Sequence, residues 1–99
     1  MAFGSGLPGT VELLPSASRD LERILKRNRE EFSRVWEDLK RLGFGTLPPQ
    51  GKKKLRGISA FQLDSARYRI VYSRRETQYV IWAVFAKPEQ ARYLKRFLR

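Results

Sequence analysis

The spacing of apolar residues changes twice along this chain, and each change marks a change of element. Residues 10–14 alternate just long enough for a short strand, which Pro15 ends. Leu21, Ile24 and Leu25, then Phe32, Val35, Trp36, Leu39 and Leu42, recur at a 3.6-residue period and predict helix, with Ser16 or Ser18 available to cap its start. Asn28 interrupts the series, and residues 28–31 fit a capping box. Two helices packed as a hairpin, over 17–27 and 29–42, are therefore predicted; the alternative is one long helix with a buried Asn28. Gly43 reads as a C-cap, and residues 45–51, with Pro48 and Pro49, read as a loop that delivers the chain to Lys52.

From Phe61 the period is two. Phe61 and Leu63 make a short strand before a turn at Asp64, Ser65 and Ala66. Residues 67–73 form a clear strand, with Tyr68, Ile70 and Tyr72 on one face and Arg67, Arg69 and Val71 on the other, so that one face packs on the core and the other presents guanidinium groups. After a turn around Arg75, Glu76 and Thr77, residues 79–86 are apolar on both faces, the pattern of a central strand covered on both sides. Pro88 then opens a last helix, with Ala91, Leu94 and Leu98 on one face. The predicted order is β-α-α-β-β-β-α, an α+β domain with an N-terminal strand and helical hairpin packed on an antiparallel sheet and a C-terminal helix. Residues 1–8 read as a flexible Gly/Ser/Pro-rich tail and residues 9–99 as one domain, since 99 residues with 41% apolar content fill a single core. Trp36 and Trp82 both fall on apolar faces and are expected in that core.

Composition narrows the chemistry. The chain has no Cys and no His, which removes disulfides, a thiolate nucleophile, the usual general base and the usual metal ligand, so no metal or other cofactor is expected. Any catalysis runs on Lys, Arg, Tyr or a lone carboxylate. No stretch is apolar enough to span a bilayer, and residues 1–6 lack the features of a signal peptide, so a cytoplasmic location is expected.

Charge points to a partner. Residues 1–42 hold eight Lys or Arg against seven Asp or Glu, or +1, and residues 43–99 hold thirteen against three, or +10. The cations fall in four clusters: Lys52, Lys53, Lys54 and Arg56; Arg67 and Arg69; Arg74 and Arg75; and Lys87, Arg92, Lys95, Arg96 and Arg99. Self-repulsion on this scale calls for a polyanion, and Tyr68, Tyr72, Tyr79, Trp82 and Tyr93 between the clusters offer stacking surfaces for nucleic acid. A membrane surface fits less well, because the cations alternate with strand-forming residues instead of lining one amphipathic helix.

These residues carry a resemblance that spans residues 11–99. A first strand leads into a helical hairpin, Lys54-Leu55-Arg56-Gly57 follows it, Ala66-Arg67-Tyr68-Arg69-Ile70-Val71-Tyr72 makes the next long strand, and Val80-Ile81-Trp82-Ala83-Val84 precedes Lys87 and Tyr93. The combination resembles the RelE/ParE superfamily of bacterial type II toxins. RelE-like members are ribosome-dependent endoribonucleases that cut mRNA in the decoding site and are neutralised by an acidic antitoxin; ParE-type members keep the fold and poison DNA gyrase. The resemblance implies a RelE-like fold. It also implies a phosphate-supporting role for Arg69, a basic site residue at Lys87 and a late active-site tyrosine at Tyr93. Where RelE-like nucleases place two lysines on one strand face, this chain has Gln62 and Asp64, which either passes the lysine role to Lys52–Lys54 or favours the gyrase-type reading.

The chemistry is consistent without the family. Attack of an RNA 2′-OH on the adjacent phosphate needs a proton acceptor, a proton donor for the leaving oxygen, and cations for the phosphorane, whose stabilisation usually contributes most to the rate. Arg69 suits a bidentate phosphate clamp, Lys54 or Lys87 serves as a base only if cationic neighbours depress its pKa, and Tyr93 can stack on a base or donate a proton. Lys52, Lys53, Arg56, Arg67, Arg92 and Arg96 then line the RNA path, and the resemblance implies rRNA contacts among them. Each residue has a plainer role: Lys52 to Arg56 as a solvated loop, Arg69 as an exposed strand residue, Lys87 as a sheet end, Tyr93 as core packing. A general RNA-binding module is the third functional reading, although the initial strand and helical hairpin disfavour a double-stranded RNA-binding domain. The lysine triplet gives a direct test. Binding to single-stranded RNA should fall with salt at a log–log slope of about −0.7 per neutralised phosphate, and changing Lys52, Lys53 and Lys54 together to Ala should flatten it by roughly two units. An unchanged slope in a filter-binding titration makes the triplet a bystander.

Overall fold

The computed structural model describes Leu7, residues 9–45, the backbone of Lys52–Lys54, and residues 60–95, with Leu94 as backbone only. The elements are β1 (Val11–Leu13), α1 (Pro15–Arg27), α2 (Arg29–Phe44), β2 (Lys52–Lys54), β3 (Phe61–Ser65), β4 (Tyr68–Arg75), β5 (Gln78–Ala86), a 3₁₀ turn (Lys87–Glu89) and α3 (Gln90–Leu94). The α+β architecture is the expected one, with the hairpin on one face of the sheet and a C-terminal helix on the other. The sheet order is β1-β5-β4-β3-β2. Two details extend the expectation. Lys52–Lys54 pair with Phe61–Leu63 as a further strand instead of ending a loop, and β1 joins β5 in parallel, which makes the sheet mixed.

The helical hairpin forms where the apolar period places it, and Asn28 explains the break. Its N–H caps α1 by donating to the Ile24 carbonyl at 2.8 Å, and its Oδ1 accepts the Glu31 N–H at 3.1 Å to open α2. Only half of the capping box is made. The Glu31 carboxylate turns instead to Tyr68 Oη and Arg67 Nε, each at 3.0 Å, and so ties α2 to the sheet. Two other caps differ from expectation. Leu14 caps α1 without a side-chain bond because Ser16 Oγ donates to the Trp82 carbonyl at 2.6 Å, while Ser18 is buried. At the other end Gly45, at φ 73°, closes α2, while the Gly43 carbonyl accepts from Thr10 Oγ1 at 2.9 Å.

The main core lies between hairpin and sheet. Leu21 and Ile24 of α1 and Val35, Leu39 and Leu42 of α2 meet Leu63, Tyr68, Ile70, Tyr72, Tyr79, Ile81 and Val84. Trp36 is partly buried at the rim of this core, its ring stacked on Phe32 with centroids 5.4 Å apart. A smaller cluster covers the far face of the sheet: Ala60, Val71, Ala83, Phe85 and Tyr93, flanked by Trp82. Both faces of β5 are thus covered, as its unbroken apolar run predicts. A bulge assists, because Val71 pairs with Ala83 and Tyr72 with Ile81, leaving Trp82 as the extra residue. The far face of β4 is consequently not the guanidinium row the alternation suggested, since Val71 is 1% exposed.

No helix among the described residues is long and apolar enough to cross a membrane. The core sets an alkaline limit. Burial, followed by the neighbouring Tyr79, pushes the Tyr72 hydroxyl up to about 12, and burial beside Glu31 raises Tyr68 as well. Raised folded-state values favour the neutral phenol, so the stability they supply is full below the unfolded value near 10 and is lost as pH rises toward about 12. Urea denaturation across pH 9–12 should show stability falling over that window, with a shallower fall in Tyr72→Phe.

Candidate functional site

The β3–β4 hairpin builds the site. Its two-residue turn, Ala66 and Arg67, sets Ser65 opposite Tyr68 and Asp64 opposite Arg69, which in turn lies opposite Phe85 on β5. Ala66 takes a φ of 55°, a left-handed conformation that an L side chain adopts at a cost, so this turn is held by the register around it. Asp64, Arg69 and Phe85 therefore form one row across the far face of the sheet. Beyond Phe85 the chain enters the 3₁₀ turn, whose first residue Lys87 donates its backbone N–H to the Arg67 carbonyl at 3.1 Å.

Four side chains converge there. Arg69 Nε donates to Asp64 Oδ1 at 2.9 Å, Lys87 Nζ stands 3.7 Å from Asp64 Oδ2, and Arg69 Nη1 donates to Gln90 Oε1 of α3. One carboxylate is shared by two cations. Arg69 is only 26% exposed, so its guanidinium is positioned by these partners instead of waving in solvent.

Tyr93 forms the flank. Its ring stacks on Phe85 with centroids 5.0 Å apart, Arg92 Cζ lies over the ring 5.7 Å from its centroid, and its hydroxyl accepts from Arg23 Nη1 at 2.6 Å. Arg23 also pairs with Asp20 Oδ1 at 3.4 Å, and Asp20, 1% exposed, accepts the Val84 N–H on Oδ2 at 3.0 Å. A continuous polar chain thus runs from the backbone of β5 through α1 to α3.

Solved structures share this fold. The toxin–antitoxin complex RelBE2 from Mycobacterium tuberculosis matches with a TM-score of 0.67 at 25% identity, over 82% of this chain and 93% of that one. The YoeB–YefM complex from Staphylococcus aureus matches with a TM-score of 0.65 at 17% identity, over 80% and 94%, and the solution structure of HP0894, a conserved hypothetical protein from Helicobacter pylori, with 0.61 at 17%, over 82% and 97%. The chain has the RelE-like toxin fold. No protein-family model matches its sequence, and no curated protein does either.

On this RelE-like frame Arg69, Lys87, Tyr93 and Arg92 gather on one side of the sheet. Arg67 does not join them, for its side chain pairs with Glu31 of α2. Arg92 pairs with Glu89 one turn back. Lys52, Lys53 and Lys54 lie on the edge strand, Lys53 in register with Gln62 and Lys54 with Phe61. Their side chains, and Arg56 and Arg96 altogether, lie outside the described residues. Gln62 is buried at 8% exposure. Among the described residues no three Asp or Glu side chains gather to hold a metal ion.

Sequence reasoning missed Asp64 as a participant and missed Gln90, Arg23 and Asp20. For Asp64 a signal existed, since a two-residue turn at Ala66 and Arg67 places positions 64 and 69 opposite each other. For the Arg23–Tyr93 bond, between residues seventy apart in sequence, none did. Asp20 has its own test. Asp20→Ala strands the Val84 N–H and should cost about 2 kcal/mol in urea denaturation, whereas Asp20→Asn keeps an acceptor oxygen and should cost less than half of that.

Proposed function

We propose that this protein is the toxin of a type II toxin–antitoxin pair and acts in the cytoplasm as a metal-independent endoribonuclease on ribosome-bound mRNA. The observation that carries this reading is the convergence of Arg69 and Lys87 on the far face of a RelE-like sheet, beside an aromatic flank of Phe85 and Tyr93. Two cations gathered on one carboxylate suit a phosphate, and the Phe85 and Tyr93 rings, 2% and 8% exposed, form the packed wall beside them. RelBE2 and YoeB–YefM were solved as toxin–antitoxin complexes, which supports an antitoxin partner here. An acidic antitoxin segment complements the +10 of residues 43–99 and would mask Arg69.

The reaction follows from the groups. The 2′-oxygen attacks the adjacent phosphorus and loses its proton, the bond from phosphorus to the 5′-oxygen breaks, and that oxygen takes up a proton. A 2′,3′-cyclic phosphate and a 5′-hydroxyl result, and water is not consumed in the step. Arg69 and Lys87 act on the phosphorane, the species of highest negative charge, which makes electrostatic stabilisation the main contribution. Tyr93 Oη, which accepts from Arg23 in a side chain 8% exposed, is the hydroxyl this reading assigns to proton transfer or to hydrogen bonding with the substrate. Lys54 supplies a further cation from β2. Lys52, Lys53, Arg56, Arg92 and Arg96 extend the contact along the RNA and into rRNA.

A gyrase-directed toxin is the second reading, favoured by Gln62 and Asp64 at positions where the nucleases are basic. Arg69 separates the two. Arg69→Ala should lower cleavage of a translated message by about 10²-fold or more, the scale for losing one preorganised stabilising group. Arg69→Lys should rescue only in part, because it keeps the charge and loses the planar fork. Arg74→Ala, at the other end of β4, should cut at the wild-type rate. Primer extension in a cell-free translation system reads all three; growth arrest by wild-type protein with no RNA cut points to gyrase.

A further inference from the structure

The far face places a carboxylate where a phosphate-binding surface has least use for one. Asp64 engages Arg69 through Oδ1 and Lys87 through Oδ2, so both of its oxygens face the two cations assigned above to the scissile phosphate. On Arg69, Nε is taken by Asp64 and Nη1 by Gln90. A guanidinium offers a bidentate anion two edges, one of them using Nε and the other using Nη1. The edge that uses Nε is closed by Asp64, and on the other edge Nη1 has one of its two N–H groups on Gln90. A phosphate can clamp Arg69 through Nε only by displacing Asp64, which also pairs with Lys87.

We propose that Asp64 is a built-in counter-anion of the Arg69–Lys87 site, an internal occupant that RNA phosphate must displace, and therefore the residue that sets the site's affinity and salt dependence. The inference rests on the phosphate reading of Arg69 and Lys87. Asp64 is 49% exposed and Lys87 40%, so the occupant is held by a solvated ion pair, which is weak and readily exchanged. The exchange swaps one monoanion for another, since an internal RNA phosphodiester carries a single negative charge like the carboxylate it displaces. Without Asp64 the cations would face solvent and other polyanions unneutralised; with it, a lone monoanion gains little by entering, and a polyanion whose neighbouring phosphates meet the surrounding cations gains. Weak single contacts are discriminated against, and a phosphate aligned by flanking contacts is favoured.

The displaced carboxylate stays nearby, and its repulsion at roughly 5 Å, at an effective dielectric of about 50 for groups this exposed to water, lowers phosphate affinity about tenfold. Asp64→Asn keeps the size of the side chain and removes that repulsion. We therefore expect Asp64→Asn to bind a fluorescein-labelled, fully 2′-O-methylated 12-nucleotide RNA, which cannot be cleaved, about tenfold more tightly at low salt. The log–log salt slope should steepen by about 0.7, one phosphate more on a single strand. Asp64→Ser should behave alike. Glu76→Gln makes the same change in net charge at the far end of β4, about 20 Å away along the strand, and should shift affinity less than twofold. Anisotropy titrations on folded protein, checked by thermal melting, decide the matter. Equal affinities for Asp64→Asn, Asp64→Ser and Glu76→Gln, with binding still weakened by Arg69→Ala, would overturn the role of Asp64 and leave the phosphate site standing. Binding indifferent to Arg69→Ala and Lys87→Ala would overturn both.

Discussion

The edge of β5 that β1 leaves uncovered governs the arrangement of everything around it. β1 is only three residues long and pairs with Tyr79, Val80 and Ile81, yet β5 continues to Ala86. Backbone groups on a buried edge cannot go unpaired without a cost comparable to a lost hydrogen bond. Here α1 supplies the partners. The Leu14 N–H reaches the Ile81 carbonyl, Ser16 Oγ the Trp82 carbonyl, and Asp20 takes the Val84 N–H. These contacts at successive points along the first turns of α1 fix the direction of the helix across the sheet. Because Asp20 is held there, Arg23 one turn later is placed to meet Tyr93, and α3 is drawn onto the far face with Gln90 toward Arg69. A backbone requirement in the middle of the sheet is thereby transmitted to the site.

The second consequence concerns sidedness. A strand covered on both faces needs apolar residues on both, and strict alternation around a single register supplies this for β5 only as far as Ile81. The extra residue at Trp82 resets the phase, so that Val84 faces the main core while Ala83 and Phe85 face the smaller cluster. Phe85 then carries Tyr93, and the aromatic flank of the site is the same apolar material that closes the far side of the sheet. At Phe85 and Tyr93 the packing of the far face and the flank of the candidate site are the same contacts.

The fold was legible where local rules decide it. The helical period of Leu21 to Leu42, the cap at Asn28 and the two-sided run of β5 each gave an element within a few residues of its observed bounds. Legibility failed where a side chain had two possible partners. Ser16 and Glu31 have the chemistry of caps, but each reaches a group on the sheet instead, and the tertiary bond prevails over the local one. Lys52–Lys54 read as loop because three consecutive lysines give no alternation to detect, and only the exposed edge of β3 makes them a strand. For the site, the residue types Arg69, Lys87 and Tyr93 could be named from resemblance, but their coupling through Asp64, Gln90 and Arg23 depends on strand register and on contacts across most of the chain's length. Those are not local quantities.

Charge shows the same division. The second half of the chain looks like an unbroken basic field, with Asp64, Glu76 and Glu89 as its only carboxylate side chains. In the fold two of those three sit against cations on the α3 side: Asp64 between Arg69 and Lys87, and Glu89 on Arg92. Arg67, a cation of the same half, is neutralised by Glu31 of the other half. The long-range field that draws in a polyanion depends on net charge and survives this pairing, whereas the short-range attraction that retains a bound anion depends on which cations lack a nearby carboxylate. Under the proposed function, separating the two would let a strongly basic surface attract nucleic acid from a distance while the site itself admits only a phosphate that can compete with an internal carboxylate.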